Sequence, residues 1–298
     1  IKFTSNDMEL GIETIVEGEI IEKGKVAIEA KLFSEIVRRS PDNEVTISTD
    51  ANYTSLITCE KSKINIAGKS GEDFSFLPII DKDKMITISQ FNLKEIINQT
   101  IFSTAPNDNN KMMTGELFEV SDNTLKVVGL DGHRIAIRSI QLEGRADDVK
   151  AVVPGKTLQE ISKLMSTDAE NMVNIYFTNN HILFEFDNTI VVSRLIEGEY
   201  FKINQMLSSD YETKVVINKK EFIGSIDRAN LLITESEKKP IIINITDGSL
   251  EVTVNSSKGK FNEDINIKKE GKDLMIGFNP KFLMDALRVI DDENVDIY

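Results

Sequence analysis

The chain has 298 residues, of which 40% are hydrophobic and 28% are charged, and its formal net charge is −14. It contains no run of 18 apolar residues, which excludes a transmembrane helix, and no secretory signal segment is visible. Cys59 is the only cysteine, which excludes disulfides within the chain and zinc sites built from several cysteines. We therefore expect a cytoplasmic protein, and nothing in the sequence indicates a metal or a cofactor.

The N-terminal third shows strand patterns around one helix. Within residues 1–25 we predict two strands and a hairpin turn at Glu22–Lys25. A helix is predicted over Ala30–Arg39, because Ser40-Pro41 ends the pattern there. Further strands are predicted at 45–49, 56–59, 63–67 and 85–88, and a second helix at 91–100.

The segment Ala151–Met165 recurs 125 residues earlier, from Val26, and 125 residues later, from Ile276, without gaps. The matched positions are Ile28, Val153 and Phe278; Lys31, Lys156 and Lys281; Phe33, Leu158 and Leu283; and Arg38, Lys163 and Arg288. A fixed period of this size indicates an array of similar domains.

Weaker copies of the segment occur around Ile88 and Ile217, about half a period from the strong copies. Each domain is therefore predicted to consist of two half-repeats, and each half-repeat of a strand, a helix and several further strands. We predict three similar α+β domains, over residues 1–84, 85–207 and 208–298. The period also predicts that roughly 45 residues of the first domain precede Ile1 and about 30 residues of the third follow Tyr298.

No catalytic constellation emerges from the sequence. The two histidines, His133 and His181, fall in different half-repeats, and carboxylates lie in turns and on polar helix faces. There is no G-x-S-x-G elbow, no Walker A run and no G-x-G-x-x-G.

The predicted helices carry a repeated basic feature. Lysines and arginines stand seven residues apart on one face of three helices, and Lys219, Lys220 and Arg228 add a stripe to a fourth. On any single helix such residues are ordinary solvated surface. Three copies in register would lie on one common surface, which predicts a polyanion partner held through its phosphates.

The segment Leu130–Arg138, LDGHRIAIR, breaks the repeat, because the equivalent positions 255–263 read NSSKGKFNE. Asp131-Gly132 is a tight-turn signal between two apolar strands. The segment is either an ordinary turn with an exposed arginine or a site that the other copies do not share.

With these features, the sequence resembles the bacterial DNA polymerase III beta subunit family, the sliding clamps. The stretches that carry the resemblance are AKLFSEIVRRSPDNEV, TGELFEV, LDGHRIAIR, VPGKTLQEISKL, SRLIEGEY and IGFNPKFLMDAL. The resemblance implies a DNA clamp fold and a head-to-tail homodimeric ring, with helices inside around duplex DNA and sheets outside. It implies a non-catalytic processivity factor that tethers the replicative DNA polymerase, the clamp loader and other clients.

The resemblance and the repeat together give candidate DNA contacts, and the resemblance alone gives the subunit interface. The candidate DNA-binding residues are Lys31, Arg38, Asn107, Lys111, Lys156, Lys163, Lys281 and Arg288. Ile64 and Ile66 would meet Leu231 and Leu232 of a second copy by edge-strand pairing, and their alternative role is ordinary core.

The resemblance also implies a pocket between the second and third domains that accepts a short apolar-acidic peptide from clients. Its matching positions are Met113, Leu130, Gly132, His133, Arg134, Ile135, Phe201, Gln205, Met206, Asn279 and Phe282. At Met113, Leu130 and Phe201 the family commonly has Leu, Thr and Pro. Two other functions stay open at this point: a repeat scaffold that binds only proteins, and a hydrolase that uses Asp131 and His133.

Overall fold

The predicted alternation of strands and helices is present in the computed structural model, which describes residues 1–107, 109–208, 210–233 and 239–298. These residues contain five α-helices and twenty β-strands. They form two compact units, one made of Ile1–Ser89 and Glu170–Leu195, the other of Gln90–Ala169 and Ile196–Tyr298.

The elements follow one another as the half-repeats predict. The first part of the chain contains β1 (Lys2–Asn6), β2 (Leu10–Ile15), β3 (Val26–Ile28), α1 (Ala30–Arg39), β4 (Val45–Thr49), β5 (Thr54–Cys59) and β6 (Ser62–Ser70). The next half-repeat contains β7 (Met85–Ser89), α2 (Gln90–Asn98), β8 (Gly115–Ser121), β9 (Thr124–Leu130) and β10 (Ile135–Gln141). It is followed by β11 (Val149–Pro154), α3 (Gly155–Leu164), β12 (Met172–Phe177), β13 (His181–Phe186) and β14 (Thr189–Arg194).

The last part of the chain repeats this order. It contains β15 (Thr213–Asn218), α4 (Lys219–Asn230), β16 (Ile241–Thr246), β17 (Ser249–Ser256), β18 (Gly259–Gly271), β19 (Leu274–Phe278), α5 (Pro280–Arg288) and β20 (Asn294–Ile297). The helix predicted over Ala30–Arg39 is confirmed. Hairpin turns lie at 121–124 and 246–249, where β8 pairs with β9 and β16 with β17.

Paired half-repeats exchange strands. The leading strand of one half pairs with the first strand after the helix of the other half, as β7 does with β12 and β11 with β8. The same exchange joins β15 to β20 and β19 to β16. Each of these four half-repeats therefore completes its sheet with a strand from its neighbour.

The first unit contains a six-stranded sheet, in the order β1-β2-β14-β13-β12-β7, and a four-stranded sheet, in the order β3-β6-β5-β4. The six-stranded sheet joins strands from two of the predicted domains, because β2 pairs with β14. Tyr176, Leu183 and Val192 are buried together on one face of it.

The second unit contains a four-stranded sheet, β10-β9-β8-β11, and a six-stranded sheet, β19-β16-β17-β18-β15-β20. Helix α2 packs beside α3, and α4 packs beside α5. Phe222 and Ile226 of α4 are fully buried against Ile217, Ile243 and the strands around them, which forms the core of this part of the chain.

The hairpin predicted at Glu22–Lys25 is wrong. Residues 22–25 form no strand, and Val26–Ile28 pairs with Gly68–Ser70 of β6. The charged, glycine-containing run has the composition of a hairpin turn, but the partner strand lies some forty residues further along the chain. Among the described residues, none of the helices has the length and apolarity needed to cross a bilayer.

Candidate functional site

Three lysines occupy the same place in three helices. Lys31, Lys156 and Lys281 are each the second residue of their helix, α1, α3 and α5, and each is exposed. None of these helices has an acidic residue in its first turn. The N-terminus of a helix carries a partial positive charge, so a cation there costs about 0.3–1 kcal/mol. Three lysines placed against this local preference indicate a role other than helix stability.

The other predicted contacts on these helices have a local explanation. Arg38, Lys163 and Arg288 lie in the last turn of their helices, where a cation stabilises the helix. The Arg38 guanidinium also lies 3.4 Å from the Glu35 carboxylate, and Lys163 Nζ lies 2.7 Å from Glu160 Oε1. These residues are exposed, but their placement alone does not point to a ligand.

The stripe on α4 is largely occupied by protein groups. Arg228 donates from Nε and Nη2 to the two carboxylate oxygens of Glu263, at 2.9 and 2.5 Å. Lys219 donates to the backbone carbonyl of Ile290. Lys220 is exposed.

The loop ahead of β8 presents Asn107 and Lys111, both exposed, while Asp108 between them lies outside the described residues. Asn110 caps the short 3-10 helix Lys111–Thr114, since its side-chain oxygen accepts the N–H of Met112 at 3.1 Å. The cap holds Lys111 at the start of this turn.

Four of the apolar positions predicted for the pocket come together. Leu130 is buried in a cluster with Leu117, Val128, Val152 and Ile203. Three more predicted residues pack against this cluster while remaining partly exposed, namely Met113, Ile135 and Phe201. The result is a partly open apolar surface at the end of β9.

Tyr200 fixes the segment that carries Phe201. Its hydroxyl donates to the backbone carbonyl of Val128 at 3.1 Å, and its ring meets that of Phe201 edge-on, with centroids 5.5 Å apart. Gln205 and Met206 are exposed; Gln205 ends the 3-10 turn that begins at the buried Ile203, and Met206 is the next residue.

The turn Asp131–Arg134 is built by its own aspartate. Asp131 Oδ1 accepts the backbone N–H groups of His133 and Arg134, at 3.0 and 3.1 Å. Gly132 has a φ of 82°, a conformation that favours glycine. The turn therefore holds the side chains of His133 and Arg134 in a defined direction.

Arg134 is the most highly connected residue of the site. Its Nε donates to Asp131 Oδ2 at 3.0 Å, its Nη1 to Asp285 Oδ2 at 2.8 Å and its Nη2 to the Phe102 carbonyl at 2.5 Å. The guanidinium carbon lies 4.5 Å from the centroid of the Phe282 ring and 5.2 Å from that of Phe102. Planar geometry with several donors is what arginine supplies and lysine does not.

Helix α5 closes the other side of this cluster. His133 stacks on Phe282, with centroids 5.6 Å apart. Asn279 caps the helix, because its side-chain oxygen accepts the Lys281 N–H at 3.0 Å. Residues 151 positions apart in sequence, Arg134 and Asp285, thus join the second and third predicted domains.

Sequence reasoning missed Asp285 and Phe102. Asp285 accepts hydrogen bonds from both Arg134 and Lys281, and the Nζ of Lys281 lies 2.7 Å from Asp285 Oδ2. Partial burial alone would raise the pKa of Asp285, but the hydrogen bonds from Lys281 and Arg134 outweigh it and hold the pKa below its ordinary value. The spacing of four residues from Lys281 was a visible signal for this pair. Phe102 acts through its backbone oxygen and its ring, which no sequence pattern marks.

The predicted interface residues have mixed environments. Ile66 is buried and Ile64 partly so, on β6. In the described chain, β3 pairs only with Gly68–Ser70, which leaves the Ser62–Ala67 part of β6 with β5 as its single strand neighbour. Leu231 is 73% exposed at the end of α4, whereas Leu232 packs against the core.

No group of three or more His, Cys, Asp and Glu side chains within the described residues is placed to hold a metal ion. Asp131, the acid of the hydrolase alternative, is engaged by its own turn and by Arg134, and the His133 ring stacks on Phe282.

The chain matches three domain models of one family. The N-terminal, central and C-terminal domains of the DNA polymerase III beta subunit match residues 1–78, 87–202 and 204–298, respectively. The beta sliding clamps of Staphylococcus epidermidis and Staphylococcus aureus are 35% and 34% identical to it over 304 residues. In both cases the alignment covers 99% of this chain and 80% of the relative.

Solved structures agree with these matches. A crystal structure described as a DNA polymerase III beta subunit from Eubacterium rectale is 64% identical, with a TM-score of 0.95, and the match covers 100% of this chain and 81% of that one. The DNA polymerase sliding clamp of Bacillus subtilis is 31% identical, with a TM-score of 0.92, over 99% of this chain and 80% of that one.

Proposed function

Because the chain belongs to the DNA polymerase III beta subunit family, the beta sliding clamps, we propose that it acts as a processivity factor that encircles duplex DNA and tethers a polymerase to it. The family assignment and the three-domain α+β clamp fold predicted from the sequence are confirmed. The role is non-catalytic, as membership of this family implies. The domain boundaries at 84/85 and 207/208 stay predictions.

One observation carries the DNA side of the proposal, namely the three lysines at equivalent helix N-termini. In a ring, Lys31, Lys156 and Lys281 would face one axis and meet the phosphates of a duplex. Such contacts hold a duplex without reading its bases, so they allow sliding. Arg38, Asn107, Lys111, Lys163 and Arg288 belong to the same proposed lining, with weaker support for each residue.

The ring itself is part of the proposal. Ile64 and Ile66 lie on a stretch of β6 that has one strand neighbour among the residues that the structure describes, and Leu231 is exposed at the end of α4. An open strand edge with an apolar side chain is suited to pairing with another copy. We propose a head-to-tail homodimer closed by this edge and Leu231–Leu232 of a second copy.

The second binding site is the pocket around Arg134. A partly open apolar cluster next to a positively charged, well-fixed side chain is suited to a short peptide with apolar residues and an acidic one. The replicative polymerase, the clamp loader and other clients would present such a peptide. A cytoplasmic location and the absence of any resident cofactor complete the proposal.

The proposal is tested by topology. The full protein is loaded by its loader ATPase onto a nicked circular duplex, the circle is then linearised, and the fraction of protein retained is measured. A ring held by topology slides off the linear ends, whereas a protein held by ordinary contacts stays bound equally to circle and line. Equal retention would rule out the clamp mechanism.

A further inference from the structure

A single carboxylate oxygen connects the proposed DNA lining with the proposed peptide pocket. Asp285 Oδ2 accepts Arg134 Nη1 at 2.8 Å and Lys281 Nζ at 2.7 Å. Arg134 belongs to the pocket and Lys281 to the lining, so two cations with different proposed partners share one acceptor. Their environments differ, because the Lys281 side chain is 70% exposed and that of Arg134 is 15% exposed.

Asp285 is poorly placed to lose both cations. Its side chain is 19% exposed, so water can solvate the carboxylate only in part. A partly buried charge that loses every partner keeps its desolvation cost without compensation. Whenever one cation leaves, Asp285 must therefore hold the other more firmly.

Arg134 can release Asp285 without leaving the site. Its Nε is held by Asp131 and its Nη2 by the Phe102 carbonyl, while the Phe282 ring covers the guanidinium. Of the three nitrogens, Nη1 is the one that can exchange Asp285 for an acidic ligand residue while the contacts to Asp131 and to the Phe102 carbonyl are kept. Lys281 has a flexible and exposed side chain, so its ammonium group can likewise leave Asp285 and bind a phosphate.

We propose that Asp285 couples the two sites antagonistically, so that a phosphate at Lys281 weakens the binding of an acidic peptide at Arg134, and the reverse. A phosphate that draws Lys281 away leaves Asp285 to Arg134 alone, which makes Nη1 less available to the peptide. A peptide that takes Nη1 leaves Asp285 to Lys281. The inference rests on the function proposed above, and by linkage the two effects are equal in size.

The first test is a double-mutant cycle on peptide affinity. The probe is a fluorescein-labelled peptide of leucines and one aspartate, with a matched peptide in which asparagine replaces the aspartate, and binding is followed by anisotropy. We expect Lys281→Met to weaken the aspartate peptide about fivefold and to leave the asparagine peptide unchanged. In the Asp285→Asn background, Lys281→Met should have no effect on either peptide.

Lys258→Met is the matched control, because Lys258 is exposed in the turn between β17 and β18. Lys281→Met could weaken binding of the aspartate peptide equally with and without Asp285. The effect would then come from the general electrostatic field of Lys281, and the proposed coupling through Asp285 would be overturned. No effect of Lys281→Met in either background overturns it as well. If the wild-type protein binds neither peptide, the pocket proposed above fails, which is a separate result.

The second test uses DNA itself. The aspartate peptide is titrated into the wild-type clamp before and after loading onto circular duplex. We expect about fivefold weaker binding on DNA, and no change in the Asp285→Asn protein. Equal weakening in both proteins would assign the effect to the duplex charge rather than to Asp285.

Discussion

The guanidinium carbon of Arg134 lies 4.5 Å from the centroid of the Phe282 ring, which connects a turn of the second predicted domain to a helix of the third. A cation placed over an aromatic face in a partly desolvated site stabilises by up to about 2 kcal/mol. The hydrogen bond to Asp285 joins the same two segments. Stability and the proposed peptide pocket therefore depend on the same side chain.

Arg134→Leu should both destabilise the protein and impair the pocket. The change leaves the Phe102 carbonyl without its donor and removes one of the two cations from Asp285. Loss of a partner at such a partly buried pair costs about 2–4 kcal/mol, which urea unfolding would measure as a lower midpoint. The exposed Arg138→Leu on β10 is the control and should change stability by less than about 0.5 kcal/mol. Equal effects of the two substitutions would contradict the structural role of Arg134.

Glu116 should make stability fall as pH rises. Burial raises the pKa of this carboxyl to about 8 and outweighs the opposite effect of the neighbouring Thr100 hydroxyl. Between the unfolded value of 4.5 and the folded value, the folded state keeps a proton that the unfolded state has lost. Stability is then full below the unfolded pKa and decreases by about 1.4 kcal/mol per pH unit until the folded carboxyl ionises.

Glu116→Met should remove this slope and stabilise the protein at pH 8, as thermal unfolding between pH 5 and 9 would show. Glu119→Gln, on the same strand, is the control, and its effect on stability at neutral pH is expected to have the opposite sign. Lys150 and Lys126 hold the pKa of Glu119 below its ordinary value, with Lys150 Nζ 2.6 Å from its carboxylate. Its contribution is therefore present above the unfolded pKa, and removing the charge destabilises at neutral pH. A Glu116→Met protein that keeps the wild-type pH slope would exclude Glu116 as its origin.

Reversing the charge at two helix N-termini should impair loading onto DNA while preserving the fold. Lys31→Glu and Lys156→Glu each place an acidic residue in a first turn, which favours the helix by about 0.3–1 kcal/mol. Each reversal also replaces a proposed phosphate contact with a repulsion, so the amount of the double variant that its loader places on circular duplex at physiological salt should fall at least tenfold. Lys258→Glu, with the same charge change, should load normally. Unchanged loading of the double variant would remove these lysines from the proposed lining.

Leu231→Asp tests the proposed interface at its exposed position. Because Leu231 is 73% exposed, the substitution should leave thermal unfolding of the isolated subunit nearly unchanged. A charge in an apolar interface should shift the equilibrium from dimer to monomer, which sedimentation velocity would detect over a range of concentrations. The same substitution at Ile66 would not be informative, since Ile66 is buried and its loss would unfold the sheet. A Leu231→Asp protein that dimerises like the wild type would place the interface elsewhere.

The helices were the most predictable elements, because a helix is specified by residues near one another in sequence. The helix at Ala30–Arg39 was predicted to the residue, and that at 91–100 begins one residue earlier and ends two residues earlier than predicted. The hairpin at Glu22–Lys25 failed because the partner of β3 is β6, which no local pattern indicates. The pocket positions came from a resemblance to a family, and four of the apolar ones, Met113, Leu130, Ile135 and Phe201, share a cluster.

The sequence by itself determined the period of 125 residues, the five strand–helix units and the family, since all three are carried by residue types at fixed spacings. Only the tertiary structure decided how half-repeats exchange strands and which acceptors Arg134 finds. Phe102 and Asp285 lie 32 and 151 residues from Arg134, and one of them contributes a backbone oxygen that every residue type possesses. Contacts of this kind depend on how the folded elements pack against one another, so they cannot be predicted from composition or periodicity.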